Sequence, residues 1–529
     1  MDFDFLEIPM AQSSDIQLLA SGTPLRAEEK LQMAMAWRPL ADFISKLPCL
    51  KDLVYGCAHQ IPLCVLEALH QHSPKTRLHM LTFELRSLYF PVYDSIWQID
   101  YDEYVLTTSP SLYSLAALYI NVRRGGIGFD FGYTRDAVFK MMAGRAPNLA
   151  KVALSSSNYP NRLDHIYQTE RLALRSGFYR RGLDTLPTSK GHIRTFTSCG
   201  DWAISRGPEN WTTCLRLDEL VNLSLACQCL ADAELLVQAA KDVTFKSICS
   251  LKLWLHLAHF ERWAIMDHLA ATFLSLLPPL RILDVGGCIA WDSFSSVLDH
   301  HAESLESLIL MPSLSKDSAE RPIPFSGQQI TDLAAKCQRL VRLKTLVARF
   351  QGDAQEVAMY HALGNSPRLK HITLHFDWYI VPEPEELETS ATVRPVAPSF
   401  RTALINGAVD ADLAREIFRT MQSGGSALET LELHAQCPAE SLYHDDMAVC
   451  RILQGISRSW ACQLDQGGED VTIRILKNGI ELVGTTYGKS IPRDDLAAVW
   501  DELWPSSTQN RAQGWKSFPL LSDIGQRQP

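Results

Sequence analysis

The stretch best suited to chemistry is Ile282-Leu283-Asp284-Val285-Gly286-Gly287, an apolar run carrying an acid and ending on two glycines. Glycines that follow a strand let the backbone approach a nucleoside cofactor, and an acid near the next strand can hold a ribose hydroxyl. Glu303 and Glu306 precede the next apolar run, Leu308 to Leu310, but a third glycine is missing because Cys288-Ile289-Ala290 follows. A second glycine-rich stretch, Arg124 to Gly132, contains Asp130-Phe131-Gly132. It has no strand lysine or His-Arg-Asp loop beside it and reads as a loop between repeats. His256-x-x-His259 and His300-His301 lack a third ligand within sequence reach. The 13 cysteines contain no C-x-x-C pair, only Cys227-Gln228-Cys229, and read as reduced, mostly buried thiols. No Ser-His-Asp order, nucleophile elbow, Walker loop or H-E-x-x-H occurs. The expectation is no catalytic residue, no metal and no resident cofactor.

These candidates lie inside a longer pattern, and that pattern decides how they are positioned. An apolar residue, two others, an apolar residue, one other and an apolar residue recur from Leu50, Leu78, Leu115, Leu149, Leu220, Ile248, Leu280, Leu305, Leu343, Leu369 and Leu428. Looser copies start at Ile193 and Phe400, and the spacing is irregular around about 30 residues. The last two apolar positions, two apart, share one face of a short strand. One such unit cannot bury its apolar face, whereas stacked neighbours share a continuous core. Leu280-x-x-Leu283-x-Val285 is in register with its neighbours, so the glycine motif doubles as a repeat.

Helical periodicity fills the gaps. Ile265, Leu269 and Phe273 recur before Pro278, and Leu413, Ile417 and Met421 follow an N-cap at Asp410. His59 to His72 and Gln328 to Cys337 have the same character. Alternating helix and strand require parallel strands. The predicted fold is an α/β leucine-rich-repeat solenoid, curved, with parallel strands on the concave face, helices on the convex face and a C-terminal cap. Its boundaries read as an N-terminal arm (1–30), the solenoid (31–436), a hairpin and helix cap (437–505) and a polar tail (506–529). The cap rests on Val471 to Ile475 and Ile480 to Leu482 flanking Asn478-Gly479, then on Leu496 to Trp504. Val381 to Ser399, rich in proline and glutamate, reads as an exposed loop.

Positions that alternate with the core leucines point to the concave face. Lys252, Trp254, Asp284, Arg349, His371, His375, Glu432 and His434 are the residues expected to meet a protein partner there, with Trp254 as the aromatic anchor. The 529 residues include 50 Lys+Arg against 60 Asp+Glu, a net charge of −10 that argues against a general nucleic-acid binder. The acidic start Met1-Asp2-Phe3-Asp4-Phe5 does not resemble a signal peptide, and Ile265 to Leu280 is too short and too charged to span a bilayer. No membrane association and a cytoplasmic or nuclear location follow as expectations.

Ser109-Pro110-Ser111-Leu112, Ser366-Pro367-Arg368-Leu369-Lys370-His371-Ile372-Thr373-Leu374 and Leu277-Pro278-Pro279-Leu280-Arg281-Ile282-Leu283 resemble the repeat region of fungal F-box leucine-rich-repeat proteins. The resemblance covers roughly Leu31 to His434. It implies substrate recognition for a cullin-type ubiquitin ligase, with the Skp1 adaptor docking on an N-terminal F-box. Residues 1–46 lack the usual Leu-Pro start and helix pair, and Phe5-Leu6-Glu7-Ile8-Pro9 matches them only in part. The alternative is that the Asp284–Gly287 segment, which resembles the first motif of Rossmann-type methyltransferases, binds S-adenosylmethionine.

Overall fold

The structure is a computed structural model describing residues 27–57, 59–88, 99–121, 133–158, 190–199, 211–242, 245–256, 263–311, 325–377, 400–425, 427–435, 447–465, 470–477, 494–505 and 515–520. Residues 1–26 of the expected arm lie outside that set, as do Arg124–Gly132, His259, the 381–399 loop and the Asn478-Gly479 turn with Ile480–Leu482. The chain divides into two compact units, Met1–Lys252 and Leu253–Pro529.

The first unit runs α1 (Ala27–Ile44), β1 (Asp52–Tyr55), α2 (Leu63–His72), β2 (Arg77–Phe83), α3 (Tyr101–Thr107), β3 (Leu112–Asn121), α4 (Tyr133–Lys140), β4 (Lys151–Asn158), β5 (Thr195–Cys199), α5 (Trp211–Cys214), β6 (Asn222–Cys227) and α6 (Leu230–Asp242). Strand β7 (Ser250–Leu255) carries the boundary between the units. The second unit continues with α7 (Trp263–Leu276), β8 (Ile282–Gly287), α8 (Trp291–His301), β9 (Ser307–Met311), α9 (Gly327–Lys336), β10 (Arg342–Ala348), α10 (Ala354–Gly364) and β11 (His371–Asp377). It ends with α11 (Phe400–Gly407), α12 (Ala411–Gln422), β12 (Thr430–Ala435), α13 (Met447–Ile456), β13 (Ser459–Leu464), β14 (Val471–Lys477) and α14 (Asp494–Leu503).

Strand follows strand in chain order. In the first unit β1 to β6 pair parallel, each with the next. In the second, β8 to β12 do the same, and β12, β13 and β14 then pair antiparallel. The register levels the apolar positions: Leu283, Leu308, Leu343, Ile372 and Leu431 are cross-strand partners. Each is at most 2% exposed. The same row in the first unit is Leu115, Val152, Phe196 and Leu223. Helices supply the other side of the core through Phe294, Val297 and Leu298 of α8, Ile330 and Leu333 of α9, and Leu413, Ile417 and Met421 of α12. Neighbouring helices touch in turn, α9 on α10 and α10 on α12. The protein is thus an α/β chain with a mostly parallel open sheet, as the periodicity required.

Buried acids hold the connections that follow the strands. Asp267 of α7 accepts from the Ala290 amide (2.8 Å) and the Ser293 hydroxyl (2.5 Å) at the start of α8. Asp232 accepts from the Gln228 amide and Asp410 from those of Asp412 and Leu413. Glu103 accepts from the Ser87 amide and hydroxyl, and burial pushes its carboxyl up to about 7 against their pull. In each case a carboxylate satisfies N–H groups that would otherwise be buried without a partner.

Several expectations need correcting. The copies read from Leu78, Leu115 and Leu343 are displaced by three residues. Leu53 pairs with Leu78, Leu78 with Leu112, and Leu308 with Leu343, so the third copy's true core positions are Leu340, Leu343 and Thr345. Thr345 is completely buried and interrupts the apolar rhythm, which is why a later leucine pair looked like the repeat. Phe400–Gly407, read as a loose strand copy, is helix α11. β14 pairs with β13, and the hairpin expected across Asn478-Gly479 falls outside the described residues. Within the stretch read as a polar tail, Trp515 and Leu520 are buried, and Ser517 donates through its amide (2.9 Å) and hydroxyl (2.6 Å) to Asp410.

Leu308 faces apolar neighbours on both sides of its row. Leu308→Asp should cost several kcal/mol, about 3 or more, because a carboxylate would enter a dry core without a partner. Urea unfolding checks it; a midpoint equal to that of the unsubstituted chain would refute the shared core.

Candidate functional site

The face of the second unit's sheet turned away from the core is built from the alternate strand positions, in three rows. The first runs Ile282, Ser307, Arg342, His371, Thr430 and Gln463, and the second Asp284, Ile309, Lys344, Thr373, Glu432, Ala461 and Arg474. The third brings Leu346, His375, His434, Ser459 and Lys477 together. His371, Glu432 and His434 are half-buried on this face, while His375 and Asp284 are buried. Lys252 is exposed at the end of the first unit. Trp254 is half-buried, and its indole lies where a Cβ on Gly286 would stand, within 2.9 Å.

Two histidines form the centre of the third row. The rings of His375 and His434 stack with centroids 4.6 Å apart and planes 12° from parallel. Burial drives His375 down to about 3, with His434 and Lys344 adding to the shift. Burial also lowers His434, against Glu432, whose carboxylate stands 3.5 Å from Nε2. Both rings are therefore neutral near pH 7, and His434 is the one of the two that reaches the surface. His371 Nδ1 meets the Thr430 hydroxyl at 2.8 Å.

Arg349 does not join this face. It follows β10 with a side chain that is 0% exposed, and it pairs with the equally buried Glu356 at 3.3 Å. Its guanidinium also donates to the carbonyls of Asn406 (2.9 Å) and Ala408 (3.4 Å). Glu356 further accepts from the Tyr360 hydroxyl and from the amides of Phe350 and Gly352. That carboxylate fixes a turn in which Gln351 (φ 59°) and Gly352 (φ 73°) are left-handed. A Cβ on Gly352 would stand 3.0 Å from the Pro519 carbonyl, so this glycine also lets the C-terminal segment seat. Arg349 is a structural ion. The displaced reading of β10 explains the error, because a shift of three residues reverses the parity of a strand and exchanges its faces. The same reversal hid Arg342 and Lys344, which a correct register would have placed outward. Among the described residues, Arg342, Lys344, Arg474 and Lys477 form no salt bridge.

The glycine motif has a packing role. Gly287 has φ 91°, and a Cβ there would lie 2.0 Å from the Leu255 carbonyl, which accepts from the Cys288 amide at 3.0 Å. Gly286 makes room for Trp254, and Asp284 sits in mid-strand on the outer face. The described strands of this unit never reverse their order before β13, so they form no switch-point crevice of the kind that holds nucleosides. His300 and His301 likewise serve the fold. His301 is fully buried; Nδ1 accepts from the Leu280 amide (3.2 Å) and Nε2 donates to the Leu274 carbonyl (3.1 Å). Among the described residues no group of His, Cys, Asp and Glu is arranged to hold a metal, the cysteines are free thiols, and no helix is long and apolar enough to cross a membrane.

The fold defines a class, an α/β chain that repeats strand and helix in chain order. A comparison of the chain with protein-family models and with curated proteins gave no match.

Two measurements test this account. Arg349→Ala strands the Glu356 charge in the core and should cost about 3–5 kcal/mol in urea unfolding, against less than about 1 kcal/mol for Asp284→Ala; equal small losses would contradict the assignment. Burial lowers His301 from 6.5 to about 4, with His300 adding to the shift. The folded state holds the neutral ring, so its contribution is complete above the unfolded value and is lost as pH falls from 6.5 towards 4. Unfolding free energy should drop by roughly 3 kcal/mol across that window beyond the effect of the carboxylates, and His301→Asn should remove that part of the slope.

Proposed function

We propose that the chain is a leucine-rich-repeat solenoid that binds a protein partner on the outward strand face. Its cellular context would be substrate recognition for a cullin-type ubiquitin ligase, as the resemblance to fungal F-box proteins implies. One observation carries the binding reading. The helix-covered side of the sheet is filled with leucine, while the opposite side presents a broad row of charged, hydroxyl and imidazole side chains on strands stepped in chain order. Such a surface has the mixed polarity of a protein-recognition face. Trp254 supplies an aromatic group at its margin within the second unit. The glycine segment Asp284–Gly287 supports packing better than cofactor binding, so the methyltransferase alternative gains nothing from the geometry.

A photo-reactive residue at Thr373, on the outward face, should cross-link a protein in extracts, while the same residue at Ser275 on α7 should not. Equal cross-linking from both positions would refute the assignment of the face. Titration with purified Skp1 addresses the ligase context separately: no association would remove that context and leave the interaction role standing.

A further inference from the structure

We infer that the outward strand face of the second unit takes an extended acidic polypeptide segment, one whose spaced carboxylates alternate with apolar or aromatic side chains. This rests on the proposed protein-binding role and gives the partner a chemistry.

The chain carries a net charge of −10, yet this face has the opposite sign. Arg342, Lys344, Arg474 and Lys477 stand on it with no salt bridge among the described residues, and within the three rows the acids are Asp284 and Glu432. Asp284 is buried, and Glu432 is engaged with His434. Three other cations at or beside strand starts are paired: Arg281 with Glu306 at 2.7 Å, Lys370 with Glu429 at 2.5 Å and Arg77 with Asp52 at 2.7 Å. Four cations without salt bridges gathered on one face of an acidic chain indicate an external counter-charge.

Geometry sets the form of the ligand. Lys344 and Arg474 lie in one row four strands apart, which at about 4.8 Å per strand is roughly 19 Å. An extended peptide of about six residues covers that span at roughly 3.3 Å per residue. Its alternate side chains would fall on opposite edges, carboxylates towards the cations and apolar groups towards the third row. There His434, half-buried and stacked on the buried His375, offers the edge of its ring. Thr373, Thr430 and His371 between the cations supply hydrogen-bonding groups for a backbone.

A nucleic acid fits less well. Its phosphates repeat continuously, whereas in the second row Glu432 stands between Lys344 and Arg474. The surrounding field of a chain at −10 also opposes a polyanion.

The test uses the full chain with a fluorescein-labelled dodecapeptide of alternating glutamate and phenylalanine, read by anisotropy. Two controls of equal length accompany it, one with lysine in place of glutamate and one single-stranded oligonucleotide. Expected are saturable binding of the acidic peptide, loss of that binding in high salt, and no saturation by the lysine peptide. The double variant Lys344→Glu, Arg474→Glu should weaken binding by roughly tenfold or more, with its thermal unfolding unchanged, while Lys241→Glu on α6 should not. Absence of saturable binding, equal affinity in the double variant, or an oligonucleotide that binds as tightly would each overturn the inference. If the acidic peptide fails while cross-links from Thr373 persist, the acidic chemistry is wrong and the protein-binding role stands.

Discussion

Everything in this protein depends on strands being level with one another. A parallel strand buries one face only if its apolar side chain meets the apolar side chains of the strands beside it, and each meeting is set by backbone register. Leu283, Leu308, Leu343, Ile372 and Leu431 meet this condition across five strands. Once that row is fixed, the alternate positions have no choice but to face outward. The charged face is therefore a by-product of core alignment: Lys344 points away because Leu343 and Thr345 point in.

A parallel ladder also needs a crossover after every strand, and each crossover leaves amide groups inside the protein. Carboxylates answer this repeatedly. Asp232, Asp267, Glu356 and Asp410 each accept from backbone amides at the start of a helix or in the turn before it. Glu356 does most, because it also neutralises Arg349, whose guanidinium holds the carbonyl ends of α11 at Asn406 and Ala408. One buried ion pair thus ties together the end of β10, the first turn of α10 and the end of α11. Polar groups here perform work in the interior that leucine cannot, since only they can satisfy stranded backbone donors.

The repeated strand and helix were legible in the sequence because leucine spacing reports both period and partner. Leu280, Leu305, Leu369 and Leu428 opened copies that the register confirms, and Asp410 was readable as a cap from its place before Leu413. Where a polar residue took a core position the reading slipped, as at Thr345, and an odd slip exchanged the two faces of β10. That single displacement put Arg349 on the candidate face and left Arg342 and Lys344 off it. The packing role of Gly286 and Gly287 was not legible, because nothing in a glycine pair tells a bound cofactor from the indole of Trp254 or the carbonyl of Leu255. The seat of residues 515–520 was equally hidden. It depends on Asp410, more than a hundred positions away, accepting from Ser517.

The reversal of direction at β13 has a consequence for how such a chain can lengthen. Every parallel step from β8 to β12 ends on an edge like the one it began with, so a duplicated strand and helix could be spliced in there and the ladder would continue. β13 runs the other way against β12, and β14 against β13. β14 therefore runs in the direction of β12 again, so the reversal is confined to one strand, β13. A duplicated strand and helix thus continues the parallel ladder within β8 to β12, while a strand laid directly against β13 must take the opposite direction to it, as β12 and β14 both do.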